Sequence, residues 1–65
     1  MDSSIGRKLE HYRRLAQLPQ YVVARAVGRS GAWLSLVENG ALQPTREQVE
    51  RIAQALGLTP EALFK

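Results

Sequence analysis

The sequence predicts an all-α domain of five short helices with no strand. Three observations carry this: apolar residues recur at spacings of three and four, capping residues or proline open successive segments, and glycine closes the second, third and fourth. At 65 residues the chain has room for one such domain, so residues 1–65 are expected to form a single unit that buries about 60% of the surface its unfolded form exposes. With no cysteine, neither disulfides nor a thiolate metal site can supplement the core, which has to be apolar packing alone.

Ile5, Leu9, Tyr12 and Ala16 lay one apolar stripe along a first helix capped by Ser3 or Ser4. Pro19 disfavours helical geometry at Leu18 and supplies a pre-set φ for a new first turn, so a second helix begins at Pro19 or Gln20. Val23, Ala24 and Val27 form its inward face. Gly28 is suited to leave that helix with positive φ, and Ser30 to cap the next, so the connection Gly28-Arg29-Ser30 is tight and the two helices cross steeply.

Trp33, Leu34 and Val37 continue a helical period to Asn39-Gly40, a pair suited to left-handed termination. Residues 41–44 form a loop. Thr45-Arg46-Glu47-Gln48 reads as a capping box, with Thr45 as N-cap and Gln48 reaching back. Val49, Ile52, Ala53 and Leu56 then give the cleanest amphipathic pattern in the chain, stopped by Gly57. Thr59-Pro60-Glu61 repeats the start signal and opens a short fifth helix through Leu63 and Phe64.

Nine Lys and Arg against six Asp and Glu give a net charge of +3 and a pI of about 10.0. That balance fits a partner rich in phosphate, although many small domains are mildly basic for no specific reason. The start, Met1-Asp2-Ser3-Ser4-Ile5, has no basic lead followed by an apolar run, and no stretch approaches the roughly 18 apolar residues of a membrane span. The expectation is a soluble, cytoplasmic protein. His11 has no second histidine or cysteine to make a metal site. Ser3, Ser4, Ser30 and Ser35 have no base arranged around them. No metal, cofactor or catalysis is expected.

The sharpest signal is Leu18-Pro19-Gln20 through Ala24, then Gly28, Ser30 and Leu34-Ser35-Leu36-Val37-Glu38-Asn39-Gly40. Small, glycine, capping and apolar residues fall there at helix-turn-helix spacing over residues 20–39. Together with Arg13, Pro44 and Ile52-Ala53-Gln54-Ala55-Leu56-Gly57, they make nearly the whole chain resemble the lambda-repressor-like, Cro/CI or XRE, family of transcriptional regulators.

The resemblance implies a lambda-repressor-like fold with the helix-turn-helix at helices two and three, and a double-stranded DNA partner. It implies backbone contacts by Gln20 and Asn39, with a second set from Gln43, Thr45 and Arg46. Amides and the N–H groups at a helix start suit phosphate oxygens and fix orientation without reading sequence. It also implies a structural ion pair between Arg13 and Glu38, and base-facing positions at Gly31, Ala32 and Leu36 with Trp33 beside them. Ser30 is grouped with that set; Arg29, in the turn where relatives often carry an apolar residue, is placed to reach a phosphate or a base, the alternative being a solvated arginine with its stem along the domain.

Relatives usually carry Gln, Arg, Lys, Ser or Thr where this chain has Gly31, Ala32 and Leu36. None of these three can form a bidentate base contact, so readout is expected to be A·T-biased, through thymine methyls and shape. The resemblance further implies a homodimer through Leu58, Pro60, Leu63 and Phe64, the alternative for Leu58 and Leu63 being a place in the core. The expected function is therefore a transcriptional regulator, such as a repressor, acting by occupancy. The alternative is a protein-interaction module using the apolar surface of helices two and three, where Tyr21, Val22 and Leu36, with Leu15 nearby, stand in place of polar residues.

Overall fold

The computed structural model describes residues 5–64, and among them the regular elements are all α-helices. They are α1 (Ile5–Leu15), α2 (Gln20–Arg25), α3 (Gly31–Glu38), α4 (Arg46–Ala55) and α5 (Pro60–Phe64). The expected cap at Ser3 or Ser4 lies outside the described residues. The predicted all-α class and its five helices are what the structure shows, in a body of 26 × 24 × 21 Å.

One core serves all five helices. Leu9 of α1, Val23 and Ala24 of α2, Trp33, Leu34 and Val37 of α3, Val49, Ile52 and Ala53 of α4, and Leu63 of α5 are buried together. Ile5, Tyr12, Leu18, Val27, Leu42, Leu56 and Leu58 close over them from the rim. One expectation is corrected by this packing. Trp33, expected beside the base-facing residues, is only 9% exposed and belongs to the core. Leu63, read from the sequence as a dimer or a core residue, is 1% exposed and is the residue that pins α5 to the domain.

Local chemistry sets the boundaries. The α1 helix stops at Leu15 because Gln17 takes a left-handed φ of 60°, letting its N–H donate to the Arg14 carbonyl while Leu18 N–H donates to that of Arg13. Ala16, expected on the inward stripe, therefore lies in the turn and is exposed. Pro19 takes the N-cap position with extended backbone (φ −70°, ψ 159°), so Gln20 opens α2. Gly28 has φ 69°, a conformation that costs a residue with a Cβ about 1–2 kcal/mol. Beyond it, Ser30 caps α3 by accepting from the Trp33 N–H at 3.2 Å. The capping box is complete: Thr45 Oγ1 accepts from Gln48 N–H at 3.1 Å and Gln48 Oε1 accepts from Thr45 N–H at 2.9 Å.

A close approach fixes α1 against the end of α3. A Cβ added at Gly6 would collide with the Val37 carbonyl oxygen and stand 3.0 Å from that of Glu38. Only glycine lets the two backbones meet there.

Candidate nucleic-acid interface

The interface is anchored from below by a charged network. Arg13 Nε donates to Glu38 Oε2 at 2.7 Å and Nη2 to Oε1 at 3.2 Å, so the pair is bidentate. Both residues are buried, at 9% and 6% exposure. Arg13 Nη1 also donates to the Leu18 carbonyl at 2.8 Å, and Gln20 Nε2 donates to Glu38 Oε1 at 3.0 Å. The guanidinium therefore ties α1 to the turn before α2, and Glu38 gathers α1, α2 and α3 at one point. Paired and hydrogen-bonded on all sides, the charges meet the condition under which burial is tolerated.

This network changes the reading of Gln20. Its amide is committed on one side to Glu38, so the side chain is held in place at the opening of α2 with one N–H remaining. Asn39 follows Glu38 as the exposed C-cap of α3. Asn39, Gln43 and Arg7 line one open hollow of about 530 Å³, together with Glu38. Two expected backbone contacts thus share a hollow with Arg7 and with Glu10.

The other end of α3 meets α2. A Cβ added at Gly31 would stand 3.3 Å from the Tyr21 amide nitrogen and 3.4 Å from its Cα, so position 31 points at the start of α2. A side chain at this half-buried position would press against α2. Of the remaining base-facing candidates, Ala32 and Leu36 are exposed one turn apart on α3. Ser30 is exposed with its oxygen committed to the cap. Arg29 is exposed with its guanidinium 5.8 Å from the Trp33 ring centroid, within cation–π range.

At the α3–α4 loop, Gln43, Thr45 and Arg46 are all exposed. The capping box consumes the Thr45 and Gln48 N–H groups. Arg46 is held by Glu50, with Nε to Oε2 at 3.2 Å, and by the Phe64 ring, 4.8 Å from guanidinium to centroid. Phe64, expected at a dimer interface, thus has a partner within the domain that the sequence did not reveal. Leu58 and Pro60 are half-buried.

Charge is distributed unevenly. Residues 11–37 contain no Asp or Glu and four Arg. Acids outside that stretch are largely paired within their own helices: Glu10 with Arg14 on α1, and Glu50 with Arg46 and Glu47 with Arg51 on α4. Among the described residues, no ion pair involves Arg25 or Arg29. No group of three or more His, Cys, Asp or Glu is placed to hold a metal among those residues, and no helix is long and apolar enough to cross a membrane.

Two short helices crossing over a shared core, joined by a glycine turn and a serine cap, define a helix-turn-helix domain. A family model described as a helix-turn-helix domain matches residues 4–64, and the chain belongs to that family. A search of curated proteins returned no match, and a search of solved structures returned none.

Proposed function

We propose that the chain is a DNA-binding transcriptional regulator of the Cro/CI type, working in the cytoplasm as one domain over residues 1–65. The observation that carries this reading is the acid-free stretch of residues 11–37, which covers the helix-turn-helix up to the buried, paired Glu38, in a family whose second helix enters the major groove. Helix α3 lies in the groove with Ala32, Leu36, Ser30 and Arg29 toward the bases. Gln20 and Asn39 hold the phosphates at one side, and Gln43, Thr45 and Arg46 hold them at the other. Members of such a class act by occupancy rather than by catalysis. Two copies would occupy half-sites roughly 34 Å apart. For that pairing Leu58, Pro60 and the outer face of Phe64 are what the α5 end offers.

A second reading, a protein-interaction module, draws on the exposure of Leu15, Tyr21 and Leu36 at 67%, 58% and 47%. Fluorescence-anisotropy titration with mixed-sequence duplex at two salt concentrations separates the two. Phosphate contacts release counterions, so DNA binding weakens steeply as salt rises. Absence of binding even at low salt would instead favour the protein-interaction reading.

A further inference from the structure

The side of α3 left open after folding is chemically unusual for a reading helix. Trp33, Leu34, Val37 and Glu38 are buried, Gly31 is turned against Tyr21, and the Ser30 oxygen is held by the Trp33 N–H. What remains exposed along the body of the helix is a methyl group and an isobutyl group, Ala32 and Leu36, four residues apart and so on one face. Leu36 is 47% exposed. Neither side chain can donate or accept a hydrogen bond.

We infer that α3 recognises duplex DNA through the C5-methyl groups of thymine in the major groove, with Leu36 as the principal contact and Ala32 one turn before it. This rests on the DNA-binding reading and deepens it by naming what is read. Thymine is the one standard base whose major-groove edge offers an apolar group. The surroundings favour DNA over an apolar protein partner for the same face. The helix is preceded in sequence by Arg25 and Arg29, for which no ion pair occurs among the described residues, and residues 11–37 contain no carboxylate to repel a phosphate. Ser35, the one hydroxyl in the body of the helix, is half-buried, so the two exposed apolar side chains carry the discrimination there.

The test begins with a duplex enriched from a random-sequence pool, in which each thymine is then replaced singly by deoxyuridine, removing the methyl and nothing else. Affinities are measured by anisotropy for the native protein and for Leu36→Ala, an exposed helical change that alanine tolerates well. Burying one methyl is worth roughly a three- to fivefold change in affinity. The expected result is that at least one such replacement weakens native binding by that factor, while Leu36→Ala binds the two duplexes equally. Salt-sensitive binding that ignores every replacement overturns the methyl inference and leaves the DNA-binding reading in place. No retention of any duplex at low salt overturns both. Circular dichroism melts of Leu36→Ala confirm that the comparison is between folded proteins.

Discussion

Arg13 and Glu38 meet through two parallel N–H···O contacts, at 2.7 and 3.2 Å, 25 residues apart in the chain and buried under the opening of α2. The same carboxylate accepts from Gln20. An isolated charge at this depth has no water to replace its partner. Arg13→Ala or Glu38→Ala is therefore expected to cost about 3 kcal/mol or more. A domain this small has little more than that in reserve, so either variant should keep only marginal stability, with a much lowered melting temperature by circular dichroism. The double variant Arg13→Met/Glu38→Leu removes both charges and should be much more stable than either single alanine variant. A near-native melt for Arg13→Ala alone would show that the pair is not needed for folding.

Gly6 gives a second test of how α1 is seated. A methyl group there runs into the Val37 carbonyl, which belongs to helical backbone and cannot rotate away. Gly6→Ala raises helix propensity by up to about 1 kcal/mol, yet the overlap should outweigh that gain and leave a net loss of about 1–3 kcal/mol. At Gly28, by contrast, an added Cβ meets nothing within 4 Å, and only its positive φ opposes alanine. Gly28→Ala should cost about 1 kcal/mol, and Gly28→Asn less, since asparagine tolerates that conformation. Thermal melts of the three variants should rank them in that order, with Gly6→Ala the least stable.

These residues also show where the sequence is legible. Ser30, Thr45 and Gln48 act on groups three residues away, and such caps can be read from local order alone. Amphipathic spacing likewise located the helices to within a residue or two. The roles of Gly6 and Gly31 depend on backbone that arrives from α3 and α2, and nothing near either glycine announces it. Helical periodicity placed Trp33 and Leu63 at apolar positions, but the resemblance assigned Trp33 an outward role and left Leu63 between interface and core, and the core claimed both because a chain of this size has few large side chains to fill it. The Arg13–Glu38 pairing came from the resemblance rather than from spacing. Gln17 carries no sequence signal for its left-handed turn.

Gln20 joins the buried network to the expected phosphate clamp, so its variants should separate the two roles. Gln20→Ala removes one hydrogen bond to Glu38 and one donor to DNA. It should lower stability by about 1–2 kcal/mol and weaken binding about tenfold on every duplex alike. Gln20→Glu sets a second carboxylate beside Glu38 and faces phosphate with the wrong charge, so both losses should be larger. Equal DNA affinity for native protein and Gln20→Glu, measured on folded samples, would remove Gln20 from the interface.

Arg46 is held by two neighbours that do different things. Glu50 accepts from Nε at 3.2 Å, and the Phe64 ring lies 4.8 Å from the guanidinium. Such a platform is worth about 0.5–1 kcal/mol at an exposed site. Phe64→Ala should therefore weaken binding roughly two- to fivefold while leaving the salt dependence unchanged, because the arginine charge remains. Arg46→Ala should weaken binding further and lower the salt slope by about one unit. Both are best measured on a half-site duplex, where one protomer binds and dimer formation does not enter. Half-site affinity indifferent to Phe64→Ala, together with a loss of dimer in sedimentation, would assign the ring to a second copy of the chain instead of to Arg46.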